Sequence, residues 1–125
     1  MKVQKNFLSK EDFYKIEEVM LTGNFPWHYN SNIVNKNDPV DYFQFTHTFY
    51  RDNSISSNYF NLLNPILNKI ECLGLLNIKA NLLTKTNTNV EHGFHCDYDN
   101  DKVTTGVFYI NTNNGYTKFK NGNIE

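Results

Sequence analysis

The 125-residue chain has no apolar run long enough to cross a bilayer or to form the hydrophobic segment of a secretion signal. Its first residues, Met1-Lys2-Val3-Gln4-Lys5-Asn6, pass directly into an amphipathic stretch. These absences argue against membrane insertion and export, and make a soluble, cytoplasmic protein the expectation. Charge of one sign is lacking too. The 12 basic and 13 acidic side chains are spread along the chain and leave a net charge of -1, so nothing indicates binding to a phosphate backbone or an anionic lipid. Cysteine is scarce: Cys72 lies in an apolar helical stretch and Cys96 between a histidine and an aspartate. Without an export signal both are expected as free thiols. Internal repeats and linker-like shifts of composition are missing, so residues 1–125 read as one domain with a modest core. Asparagine is abundant beside isoleucine and lysine, in the style of AT-rich coding. The apolar periodicity survives between the asparagines, so the chain is not a low-complexity tract.

Ser9 and Asp12 make a capping-box-like pair, and Phe13, Ile16 and Met20 recur at helical spacing until Gly23, which predicts a short first helix. Pro26 and the polar residues 30–39 predict a loop with aromatic anchors at Phe25, Trp27 and Tyr29. Residues 41–50 turn aromatic and β-branched, with Phe43, Phe45, His47 and Phe49 on one face of an expected strand. A second helix is expected over 57–73, from Phe60, Leu63, Ile66, Leu67 and Ile70, with Pro65 at a kink or first turn and Gly74 at its end. Strands are expected over 76–83, 94–98, 103–110 and 116–120. Asn121-Gly122 is a two-residue hairpin signal, so a partner strand should begin near Asn123, yet the sequence ends at Glu125. An unfinished hairpin leaves an open sheet edge, and the expectation is a carboxy-terminally truncated domain, or one completed by self-association of copies through that edge.

Within Glu91-His92-Gly93-Phe94-His95-Cys96-Asp97-Tyr98-Asp99, a strand starting near Phe94 would put His95 and Asp97 on one face and Cys96 on the other. An imidazole and a carboxylate side by side supply two corners of a two-histidine, one-carboxylate iron site, whose open positions accept a chelating co-substrate and dioxygen. Taken alone, His-x-Asp is better accounted for as a hydrogen-bonded pair at a strand end. A compact zinc site from His92, Cys96 and Asp99 is disfavoured, because neighbours on a strand face opposite ways. His47, among phenylalanines, reads as a core histidine with its hydrogen bonds satisfied, and His28 as a loop residue.

Downstream stand Thr105-Gly106-Val107-Phe108-Tyr109-Ile110-Asn111 and Asn114-Gly115-Tyr116-Thr117-Lys118-Phe119. With His95-Cys96-Asp97 this order resembles the 2-oxoglutarate- and Fe(II)-dependent dioxygenases, especially the prolyl-4-hydroxylase-like branch, from about Leu76 to the end. Ile110 stands for the family's leucine and Asn114 for its first glycine. The resemblance implies an α+β, mostly β fold: amino-terminal helices plus the first half of a double-stranded β-helix, a cupin-like jelly roll. It implies Fe(II) held by His95 and Asp97, 2-oxoglutarate as co-substrate with dioxygen, and ascorbate as an accessory reductant. The activity implied is oxidative decarboxylation of 2-oxoglutarate coupled to hydroxylation of an acceptor that the sequence does not identify. Tyr109 is implied as a donor to the distal carboxylate of the co-substrate, and Asn81 as a co-substrate contact, although Leu83 stands where some relatives carry a tyrosine. The family also calls for a second histidine followed by an arginine or lysine that pairs with that carboxylate, and no histidine or arginine follows Tyr109. Lys118 and Lys120 lie on a strand that precedes those elements in the family and are not assigned the role. Two other readings stand beside the oxygenase: a non-catalytic metal-binding or interaction module, and an inactive remnant.

Overall fold

Ser9 and Asp12 start the first helix as their spacing suggests. In the computed structural model, which describes residues 2–33, 42–119 and 122–124, helix α1 spans Lys10–Leu21 with Ser9 as its N-cap. The Ser9 hydroxyl oxygen accepts from the Asp12 N–H at 3.1 Å, satisfying one of the unpaired amide donors of the first turn, and its O–H donates to the Asp12 carboxylate at 2.7 Å. The inward stripe of α1 is Phe13, Ile16, Val19 and Met20. At its far end the Trp27 indole N–H donates to the Met20 carbonyl at 3.1 Å, closing a terminus that the Pro26 bend follows.

That stripe packs on an antiparallel sheet built around β2, Gln44–Arg51. On one side β2 pairs along its length with β4, Asn77–Leu82. On the other it pairs at one end with β1, His28–Asn30, and at the other with β3, Ser54–Ile55. The β2–β3 connection is Asp52-Asn53 with φ of 52° and 58°, the doubly left-handed geometry that matches a two-residue hairpin to strand twist. Register shifts between Thr48 and Tyr50 against β4, so Phe49 is the extra residue of a bulge, and its side chain is 2% exposed. The core is Leu8, Ile16, Met20, Phe25, Phe49 and Leu63, with Ile78 and Ala80 of β4 packed against it.

His47 sits in this core as expected. Its ring centroid lies 4.5 Å from that of Phe25, tilted, and 4.7 Å from that of Phe49, edge-on. Its Nδ1 lies 2.8 Å from the Pro26 carbonyl and its Nε2 2.7 Å from Ser57 Oγ. The carbonyl can only accept, so Nδ1 carries the proton, Ser57 donates to Nε2, and Ser57 Oγ in turn accepts from the Tyr59 N–H at 3.0 Å.

The expected helix over 57–73 is much shorter. A 3₁₀ turn, Phe60–Leu63, runs into one α turn, α2, Asn64–Leu67, with Pro65 in its first positions. The reason lies in the apolar spacing: Phe60, Leu63 and Ile66 recur every three residues, the 3₁₀ period, and the exit is again three-residue bonding, from Lys69 N–H to the Ile66 carbonyl and from Ile70 N–H to that of Leu67.

The β-rich half is also corrected. The expected strand over 76–83 is β4. Residues 94–98 and 103–110 form no ladder, and the second sheet is a short ribbon of β5, Thr117–Phe119, and β6, Gly122–Ile124. Asparagine side-chain bonds flank the two segments. Asn100 Oδ1 accepts from the Lys102 N–H, Asn113 Oδ1 from the Gly115 N–H, and Asn89 and Asn114 bond to each other. Alternation nevertheless persists in part. Phe108 and Ile110 pack on the core, Phe108 edge-on to Phe7 at 6.2 Å, while Val107 and Tyr109 face outward. In the β5–β6 ribbon Phe119 pairs with Gly122, one residue earlier than the expected start at Asn123. Lys120 and Asn121, and most of the expected 30–39 loop, lie outside the described residues. The fold shown is thus a small α+β arrangement with an open antiparallel sheet, and among the described residues no helix is long and apolar enough to cross a membrane.

Candidate functional site

Strand β4 turns Ile78, Ala80 and Leu82 toward the helix side, which puts Lys79 and Asn81 on its outward face. Opposite that face passes the irregular segment with the two sequence-predicted metal ligands. Asp97 Oδ1 lies 3.9 Å from His95 Nε2 and 3.8 Å from Lys79 Nζ, with all three side chains between 36% and 50% exposed. His95 and Asp97 therefore converge without the strand that was expected to align them. A bend at Asp97 brings them together instead.

The separation of 3.9 Å is too long for a hydrogen bond, so the pair is not the hydrogen-bonded strand-end pair that the tripeptide alone suggests. His95 Nδ1 is 3.2 Å from the Gly93 carbonyl, an acceptor only, so Nδ1 carries a proton and Nε2 is the ring nitrogen on the Asp97 side. Fixing one imidazole nitrogen on a carbonyl is the usual way a protein sets the other for a metal. One ion at about 2.1 Å from each donor spans about 4.2 Å only when the donors lie on opposite sides of it. Closing to the roughly 3.0 Å of adjacent octahedral positions takes a rotamer adjustment of exposed side chains. Among the described residues, no group of three His, Cys, Asp or Glu side chains comes together. His92 stands apart, edge-on to the Tyr42 ring at 5.0 Å with a buried Nδ1, and Cys72 and Cys96 are both exposed free thiols.

Tyr109 belongs to a different neighbourhood. Its hydroxyl is 2.7 Å from Thr117 Oγ1, and it lines a cleft of about 200 Å³ with Asn111, Thr112, Asn113 and Gly115, which His95, Asp97 and Asn81 do not line. Asn81 pairs through its backbone with Thr46 and shares the outward face with Lys79. Lys118 is committed elsewhere. It donates to both Glu91 carboxylate oxygens, at 2.8 and 3.0 Å, and the Tyr116 hydroxyl donates to Glu91 Oε1. The Lys118 bond, then the Tyr116 bond, hold the Glu91 carboxyl below its ordinary range, and the same carboxylate raises both the Lys118 ammonium and the Tyr116 phenol. This clamp ties the start of the His95 segment to β5.

No known family, curated protein or solved structure matches the chain.

Sequence reasoning missed Lys79. The signal was present in the alternation of β4, where a residue two before Asn81 must share its face.

Proposed function

We propose that the chain is an Fe(II)- and 2-oxoglutarate-dependent oxygenase domain of the hydroxylase type, cytoplasmic, with His95 and Asp97 as two of its iron ligands. One observation carries the reading: His95 Nε2 and Asp97 Oδ1 converge to 3.9 Å, with Nδ1 anchored on Gly93. The downstream Thr105 to Asn111 and Asn114 to Phe119 motifs support it by resemblance. The finer fold belonging to this reading is the first part of a double-stranded β-helix, with the β2–β4 pair contributing to its walls.

When bound, Fe(II) with 2-oxoglutarate supplies the oxidising chemistry. The chain's own share is ligation and orientation. His95 contributes a neutral donor and Asp97 a charge that offsets part of the ion's. The two-donor cluster and its exposure favour a second reading, a non-catalytic ion-binding module.

The test is anaerobic titration with Fe(II) and 2-oxoglutarate, followed by admission of oxygen and measurement of succinate. The wild type should bind iron and release succinate, and His95→Ala and Asp97→Ala should do neither while keeping the circular dichroism of the parent. Iron binding without succinate would support the module. Unchanged binding in both variants would remove the site.

A further inference from the structure

Strand β4 is an edge. It pairs with β2 on one side only, and among the described residues no other group bonds the main chain of Asn77–Leu82. Alternate N–H and C=O groups along it therefore point away from the sheet toward no partner in this chain's described residues. Natural edges are usually kept short, bulged, broken by proline or guarded by charge. This one is six residues long and carries no proline, and the bulge of its ladder lies on β2. Its single charge, Lys79, leans on Asp97 Oδ1 at 3.8 Å.

An antiparallel copy of the same strand fits that edge in one register. Residues directly opposite in an antiparallel pair share a face, so Ile78, Ala80 and Leu82, which turn toward the helix side, must meet even-numbered residues. A two-fold axis at Ala80 sets Ile78 against the partner's Leu82, Ala80 against the partner's Ala80, and Lys79 against the partner's Asn81. The apolar row then runs unbroken through both chains, and Lys79 meets a neutral amide. An axis at Lys79 would oppose two ammonium groups, and one at Asn81 would set Ile78 against the partner's Thr84. Surface to cover is available. The chain exposes 10334 Å², against about 6,900 Å² for a folded monomer of 14.7 kDa, and each partner in a standard interface covers about 800 Å². A net charge of -1 leaves little repulsion between copies.

We propose that the chain forms a two-fold dimer in which the outer edges of β4 pair antiparallel about Ala80, joining the two four-stranded sheets into one. This edge is separate from that of the β5–β6 ribbon, and the pairing does not depend on the metal reading.

The test is analytical ultracentrifugation of the full chain over a dilution series. The wild type should sediment as a reversible dimer. Asn81→Lys sets two pairs of lysines face to face, one on each side of the axis, and should raise the dissociation constant by about tenfold. Asn81 is exposed on the outward face of β4, so the circular dichroism of this variant should match the parent. Adding Lys79→Glu turns both repulsive pairs into attractive ones and should restore the dimer. A wild type that stays monomeric, or that grows beyond two copies, would overturn the proposal. An Asn81→Lys chain that dimerises like the parent would overturn it too, as would a double variant that fails to recover, because both changes act only through the register about Ala80.

Discussion

Replacing His47 by phenylalanine tests how far the core depends on the hydrogen bonds of this buried ring. The substitution keeps an aromatic against Phe25 and Phe49 but removes both polar contacts, to the Pro26 carbonyl and to Ser57 Oγ. Leaving a buried polar atom unpaired costs about 1–3 kcal/mol. Both partners here can recover something: Pro26 is exposed, and Ser57, half-buried, still accepts from Tyr59. The expected loss is therefore near the low end for each, about 2 kcal/mol in all, which is a large share of the roughly 5–15 kcal/mol that holds an ordinary domain folded. His47→Ala adds a cavity among Phe25, Phe49 and Tyr59 and should cost about 3–5 kcal/mol. Ser57→Ala should cost about 1 kcal/mol, and the double variant less than the sum by about 1 kcal/mol, because both single changes break the same bond. Urea denaturation followed by the fluorescence of Trp27 reads this directly, since the only tryptophan packs against Phe25 at 5.0 Å. A His47→Phe chain as stable as the parent, or strict additivity with Ser57→Ala, would refute the argument.

Two further predictions concern the hairpin and the clamp. Asn53→Gly should stabilise the chain by roughly 0.5 kcal/mol and Asn53→Val destabilise it by about 1 kcal/mol or more, because φ at 53 is +58° and a β-branched residue is strained there; equal midpoints in urea would contradict this. The lowered Glu91 carboxyl means that its contribution is present above the free-glutamate range and lost as pH falls through the folded value. The raised Lys118 and Tyr116 contributions are present below their free values and lost as pH rises through the folded ones. Carboxyl-resolved NMR titration should find Glu91 ionising below the ordinary range, and Lys118→Met should move it back upward; a Glu91 that titrates normally in the parent would rule the clamp out.

The sequence was legible where local chemistry and packing agreed. Ser9 with Asp12 marks α1, and of the aromatic run Phe43, Phe45, His47 and Phe49 that marks β2, His47 and Phe49 are buried in the core while Phe43 and Phe45 pack beside Tyr29. Legibility failed where a pattern needed a partner elsewhere in the chain. Residues 94–98 and 103–110 have strand-like composition, but a strand exists only through its ladder, and asparagine side chains bond the backbone just outside these segments, at Lys102 and Gly115. The segment after Ser57 carries two periods at once: Leu63, Ile66, Leu67 and Ile70 fit an α-helix, while Phe60, Leu63 and Ile66 recur every three residues, the period the chain adopts at its start. Asp52-Asn53, whose residue types both tolerate positive φ, was a readable hairpin turn that the longer patterns on either side obscured.

For the candidate site, the failed strand shifts the burden of positioning to other contacts. On a ladder, alternation alone would hold His95 and Asp97 on one face. In the irregular segment the pair depends on the Gly93 carbonyl for the imidazole, on Lys79 for the carboxylate, and on the Glu91 clamp for where the segment starts. All of these contacts are solvent-accessible, and each is individually weak. Such a site is organised by its ligand more than before it, since the ordering cost of the side chains is met when the ion binds. His95 and Asp97 should accordingly tighten together with metal, and loosening the clamp by Lys118→Met should weaken Mn(II) binding without touching either donor. An affinity insensitive to Lys118→Met would show that the pair is positioned by contacts local to 93–97 alone.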